Sequence, residues 1–557
     1  MIITITSCEK KPETESQVNW TEETFSSMTA DMKIGQLFCL SIDPVRYFIS
    51  PDYKKSINLL IRKYKPGAIY LSTVLEDWKA ETLNEFNGSK LLAEIVELQG
   101  LQTTPLLVGA DFEDGAWFWD KNATRFPYPM ALGTTRSTAI AYRQGKITAA
   151  EAISQGINLV FAPPLNQSSY YNNHLIHHSY GNSVETISSL GNNFIKGCQE
   201  SGIASCMKYF PSELVLTAPE TSETENAFTP FEAGIKAGAL SVLTAPLSPT
   251  SEISISAVGD MLRNKLGFKG LIVSRISPHD AHAASHEIRK ETVLQYIEAG
   301  INLFIVPITA TSDIPAIDDL VNDAEKGELN MTSIDASVKQ ILVLKNKLNL
   351  QSFDMMVPVK GIAGIGIEEY SKTASDISDA ALTLIKNEDK VLPLNYEKQY
   401  VTSVCFADEH SSLDAAIFHS KITEQYPEIY HLSIVGKPDK RTANEVMRRV
   451  KEADSVLCSF FIKPDIENEF FSQGSQNLLK NMLRSNRRST AVSFYGPSLI
   501  NDFRGFKGFL VTYSQSEYSM DIALEAVFGK RNPYGKLPAH LSDDFPENHG
   551  LSFDEKQ

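Results

Sequence analysis

The sequence predicts an α/β protein: a parallel (β/α)8 barrel followed by an α/β sandwich domain. Three observations predict it. Short apolar runs alternate eight times with helical stretches between Met28 and Leu350, and parallel strands need helical crossovers of that kind. A stretch with one proline and three glycines, 352–366, then breaks the pattern, and further strand-like runs alternate with helices beyond it. Finally, 557 residues exceed what one hydrophobic core usually supports, so two domains of about 150 to 350 residues each are expected.

Taken in order, residues 9–27 are polar, rich in Glu, Thr, Ser and Lys, and read as a tether. Residues 1–27 are therefore set apart as a signal remnant and tether, and folding is expected to begin at Met28. The first strand lies near Phe38. Runs at 67–71, 105–109, 157–162, 203–207, 239–244, 271–274 and 301–306 complete the eight. Each is short and largely apolar, as strands buried on both faces are, and 271–274 is also rich in β-branched residues. A helical pattern over 338–350 closes the barrel domain, 28–350, and 351–370 is the linker. The sandwich domain, 371–545, has strands at 401–406, 431–435, 455–461, 491–494 and 509–513, and a last helix at 520–528.

With 42% hydrophobic and 22% charged residues the composition is that of a globular protein, and no run reaches the ~18 apolar residues of a membrane span. Net charge is −16 with no concentrated Lys/Arg block, so the footprint of a nucleic-acid binder is missing and a neutral small molecule or a protein fits better. No H-E-x-x-H motif is present, and no metal or cofactor is expected. Of six cysteines, Cys39, Cys198, Cys206, Cys405 and Cys458 sit in apolar stretches and read as buried thiols. Cys8 follows Ile5-Thr6-Ser7, which resembles the end of a bacterial lipoprotein signal. That implies a lipid anchor on Cys8 and an extracytoplasmic location, in the periplasm or on a membrane.

Three motifs carry a more specific resemblance. Lys33-Ile34-Gly35-Gln36-Leu37-Phe38 resembles the opening K-I-G-Q-[ML]-F of glycoside hydrolase family 3. Gly267-Phe268-Lys269-Gly270-Leu271-Ile272-Val273-Ser274 resembles the end of its seventh barrel strand, G-F-x-G-[LV]-[IV]-x-S-D. Gly529-Lys530-Arg531-Asn532-Pro533-Tyr534-Gly535-Lys536-Leu537-Pro538 is close to its terminal G-x-x-x-P-x-G-[KR]-L-P, and 382–394 looks like the start of its C-terminal domain. The resemblance covers about residues 28 to 545. It implies a TIM barrel with a sandwich, a β-N-acetylhexosaminidase- or β-glucosidase-like activity on O-glycosyl bonds, and a site on the loops after the barrel strands.

A retaining glycosidase needs an ionised carboxylate as nucleophile and a proton donor about 5 Å away. In the family the aspartate ending the seventh-strand motif is the nucleophile. Here that position is Arg275, whose permanently protonated guanidinium offers only donors and cannot attack a sugar. The Asp-x-His acid of the N-acetylglucosaminidase branch falls on Pro219-Glu220-Thr221. Asp111-Phe112-Glu113-Asp114-Gly115 resembles D-x-E-G-G, and Asp111 matches the aspartate that holds sugar hydroxyls. Ala116 and Trp119 stand where arginines follow, and Trp117 and Trp119 can stack on a sugar or plug the loop. Asn166 and His178 replace an aspartate and an arginine, while Lys208-Tyr209-Phe210-Pro211 keeps the lysine of K-H-F-P.

Substrate binding is thus expected at Asp111, Lys208, Trp117 and Trp119, and substitute acids at Glu213, Glu220, Asp280 or Glu467. Arg275 is expected to seek a carboxylate, Asp111 or Glu113, because an unpaired buried charge costs several kcal/mol. Three readings follow. One is a pseudoenzyme of carbohydrate or cell-wall metabolism with a remodelled pocket for a carbohydrate or cell-wall fragment. Another is an active N-acetylhexosaminidase-type glycosidase with relocated carboxylates, and the third is a structural cell-envelope protein.

Overall fold

The computed structural model describes residues 15–72, 86–167, 177–212, 226–246, 253–276, 288–308, 314–352, 364–462 and 472–554. Eight parallel strands close in sequence order into a barrel: β1 (Phe38–Ile42), β2 (Ala68–Leu71), β3 (Leu107–Ala110), β4 (Leu159–Val160), β5 (Ala204–Phe210), β6 (Ser241–Thr244), β7 (Leu271–Arg275) and β8 (Leu303–Pro307). Closure is made by β1, where Cys39 stands opposite Ala68 of β2 and Ile305 of β8. Every residue of β2, β3 and β6 is buried, which is why these strands read as continuous apolar runs instead of alternating ones.

The second sheet has the order β11-β10-β12-β13-β14-β9. Its strands are β9 (Thr383–Asn387), β10 (Val401–Ala407), β11 (Tyr430–Val435), β12 (Ser455–Phe461), β13 (Ser489–Ser493) and β14 (Gly508–Val511). All pair in parallel except β9, which runs antiparallel to β14. The helices Ser412–Gln425 and Glu517–Val527 bring Phe418, Ile422, Met520 and Leu524 into one core with Cys405, Leu457, Val492 and Leu510.

The structure departs from expectation at two places. Residues 15–27, taken as part of a tether, form the helix Glu15–Ser27. Its contacts with the helix Thr332–Lys347 are polar and cationic: Asn346 Nδ2 donates to Thr21 Oγ1 at 3.1 Å, and Lys339 lies 4.6 Å from the Phe25 ring centroid. A packing face of that kind leaves no apolar stripe to find. Strand β9 was not separated from the helix Glu368–Ala381 before it, because the apolar run continues from one into the other.

The chain divides into two compact units. One compact unit comprises Met1–Ala110, Ser154–Leu159 and Leu240–Ile362, and the other comprises Asp111–Ile153, Val160–Ala239 and Ala363–Gln557. The second unit thus joins the segments that follow β3 and β4 to the sheet domain. Backbone bonds tie them: Tyr128 N–H donates to Tyr513 O at 2.9 Å and Asn182 N–H to Pro538 O at 3.1 Å. Gly181 sits here with φ +129°, and a Cβ on it would lie 2.1 Å from Pro538 O, so a side chain is excluded at this approach.

Candidate functional site

Strand β3 ends at Ala110, which puts Asp111 and Glu113 on the first turn of the loop beyond it. Strand β5 supplies Lys208, 1% exposed. Its ammonium donates to Asp111 Oδ1 at 2.5 Å and also pairs with Glu113. His178 closes the cluster, its Nδ1 2.6 Å from Glu113 Oε2. Burial disfavours the Lys208 ammonium, but Asp111 and Glu113 outweigh it and raise its pKa well above the usual lysine value. For Glu113, burial pushes the carboxyl up, and Lys208 and His178 more than reverse that, holding it at about 2. Glu113 is therefore ionised at neutral pH and has no proton to donate. Asp111, with a side chain 22% exposed, is the most accessible group of this cluster apart from His178.

Asn166 is a brace within this unit. Its Oδ1 accepts from Tyr209 N–H at 2.6 Å and its Nδ2 donates to Tyr209 O at 3.0 Å, which fixes the chain next to Lys208.

The two loop tryptophans differ. Trp119 is 3% exposed and packs against Phe112 and Phe118, with centroids 5.6 and 5.4 Å away, so it fills the loop interior. Half-buried Trp117 donates from Nε1 to Asp114 Oδ2 at 3.1 Å, and the Arg125 guanidinium covers its ring at 4.1 Å. Arg125 in turn bonds Asp414 at 3.3 Å and Gln515 at 3.2 Å. Tyr128 stacks on Tyr495 with centroids 5.2 Å apart. The loop carrying Asp111 and Glu113 is thus held by side chains of the sheet domain. Sequence reasoning missed Arg125, Tyr128, Tyr495 and the bond between His178 and Glu113. Arg125 precedes Asp414 by 289 residues, and no local pattern signals such a pair.

In the other unit, Arg275 is the last residue of β7, half-buried, with its guanidinium 4.5 Å from the Tyr70 ring centroid. One residue earlier, Ser274 Oγ accepts from Thr244 Oγ1 at 2.8 Å. Cys39, Cys198, Cys206, Cys405 and Cys458 are free and buried. The substitute acids Glu213, Glu220, Asp280 and Glu467, and Cys8, lie outside the described residues. No helix among the described residues is long and apolar enough to cross a membrane.

A closed parallel barrel followed by a largely parallel sheet, with two carboxylates just beyond one strand and a lysine on another, defines a two-part α/β-barrel protein. Residues 29–344 match the glycosyl hydrolase family 3 N terminal domain, and the chain belongs to that family. A β-N-acetylglucosaminidase/β-glucosidase of Cellulomonas fimi is 27% identical over 411 residues, 68% of this chain and 69% of that protein. Among solved structures, the β-glucoside phosphorylase BglX superposes with a TM-score of 0.75 at 20% identity, covering 95% of this chain and 97% of that one. A family 3 β-N-acetylglucosaminidase from Paenibacillus sp. str. FPU-7 gives 0.74 at 22% identity, covering 93% and 99%. At such identities the structural likeness shows the fold.

Proposed function

We propose that this family 3 chain binds a carbohydrate or cell-wall fragment at the barrel mouth and does not hydrolyse it. The observation that carries the reading is Arg275 at the carboxyl end of β7, where the family pattern has its nucleophilic aspartate. A guanidinium cannot form a glycosyl ester. Glu113, held near 2 by Lys208 and His178 against the effect of burial, has no proton to give a leaving group. Binding is supported by the retained pair Asp111 and Lys208, which offers an acceptor and donors for sugar hydroxyls. The names of the relatives point to N-acetylglucosamine or glucose as the sugar.

Two measurements on the full chain test this. Aryl β-N-acetylglucosaminide and β-glucoside are expected to turn over at background, and calorimetry is expected to show sugar binding that Asp111→Asn weakens about tenfold or more. Turnover abolished by replacing Glu213, Glu220, Asp280 or Glu467 would establish an active glycosidase instead. Neither turnover nor binding would leave a structural envelope protein. The same proposal places the chain outside the cytoplasm through lipid on Cys8, so Cys8→Ala is expected to move it from the membrane fraction to the soluble one.

A further inference from the structure

The turn after β9 and the segments leading into β13 and β14 enclose a groove of about 420 Å³, lined by Asp389, Val391, Arg487, Arg488 and Lys507. Arg487 and Arg488 precede β13 and Lys507 precedes β14, so the groove lies at the amino ends of these parallel strands. Tyr495 and Tyr513, which meet the loop after β3, follow the carboxyl ends of the same strands. The groove is therefore separate from the cluster around Lys208.

Three cations and one carboxylate face the groove on a chain of net charge −16. Lys507 is engaged, its ammonium 2.5 Å from Glu388 and 3.4 Å from Asp389. Arg487 and Arg488 are exposed, and neither guanidinium makes an ion pair or hydrogen bond among the described residues. Two adjacent uncompensated guanidinium groups beside an open groove create a local positive potential that an anion relieves. Their planar forks match phosphate and carboxylate oxygens two at a time. Asp389, with φ +54°, lines the same groove and brings a carboxylate to it. A carboxylate there would repel a bare anion but accepts hydroxyl hydrogens. The volume lies within the range of roughly 300 to 1,000 Å³ usual for small-molecule sites.

We propose that this groove is a second binding site, for a sugar that carries an anionic group, a phosphate or a carboxylate. Arg487 and Arg488 take the anion and Asp389 takes the hydroxyls. The site does not depend on what the barrel mouth binds.

Calorimetry on the full chain at fixed ionic strength, with glucose 6-phosphate, glucuronate, glucose and inorganic phosphate as probes, tests it. At least one of the two anionic sugars is expected to bind, more tightly than glucose and than phosphate, and which one binds identifies the anionic group. The double substitution Arg487→Gln with Arg488→Gln is expected to weaken that binding about tenfold or more, and Asp389→Asn a few-fold. Arg487→Lys with Arg488→Lys, which keeps the charge and removes the forks, is expected to fall between. Asp111→Asn is expected to leave it unchanged, which separates this site from the barrel mouth. No binding of either anionic sugar, binding indifferent to the arginine substitutions, or phosphate binding as tightly as both sugars, an adventitious ion only, would overturn the proposal.

Discussion

Lys345 is fully buried in the helix Thr332–Lys347, and its ammonium donates to Gln36 Oε1 at 2.6 Å, with no carboxylate paired to it among the described residues. Burial pushes its pKa down to about 7. Between that value and the ordinary lysine range near 10.4 the unfolded chain binds the extra proton, so stability climbs with pH across this window and the full penalty is present below it. Lys345→Met, similar in length and uncharged, is therefore expected to stabilise the protein by about 1 to 3 kcal/mol at pH 6 and to gain little near pH 10. Denaturant unfolding at both pH values checks this, and a gain independent of pH would count against it. Glu113 has the opposite sign. Its carboxyl is depressed to about 2, so its contribution is present above the ordinary glutamate value near 4.3 and is lost as pH falls from there toward 2. Glu113→Gln leaves the buried Lys208 with half its countercharge and is expected to cost about 3 kcal/mol at pH 7 in the same measurement. Asp111 and Lys208 were legible because each adjoins a barrel-strand run. The state of Glu113 was not, since it depends on a lysine and a histidine 95 and 65 residues away.

At the level of elements, the barrel strands were legible because each is a short apolar run bounded by turns, and most boundaries fall within two residues of expectation. What local sequence could not reveal is how the long loop after β3 is held. Arg125 lies between Trp117 and the acids Asp114 and Asp414, so the loop and the sheet domain share one cation. Burial pushes Asp114 and Asp414 up, and Arg125 pulls both back. Arg125→Ala would strip that charge and uncover the indole. The expected cost is about 3 kcal/mol, read as a lower thermal midpoint with a change in tryptophan emission. Arg125→Lys is expected to recover less than half of it, because an ammonium neither stacks flat on Trp117 nor reaches Asp414 and Gln515 together. Full recovery by lysine would show that only the charge mattered.

For the whole molecule, sequence alone conveyed the family architecture, while the second compact unit gathers segments from both halves of the chain. Its contacts are between residues hundreds of positions apart, and apolar periodicity carries no record of them. On the proposed reading, loss of hydrolysis would be a property of several sites together, so reversing one replacement is a sharp test. Arg275→Asp would restore a carboxylate at the end of β7, yet cleavage of a glycosidic bond also needs a proton for the departing oxygen. A dinitrophenolate leaves without that proton and an alkoxide does not. The variant is therefore expected to release dinitrophenol slowly from an aryl β-glycoside, at least about 10³-fold below a competent enzyme, and to release nothing from the methyl glycoside. Cleavage of both substrates at similar rates would mean that an acid already stands in the site, and the chain would then have lost only its nucleophile.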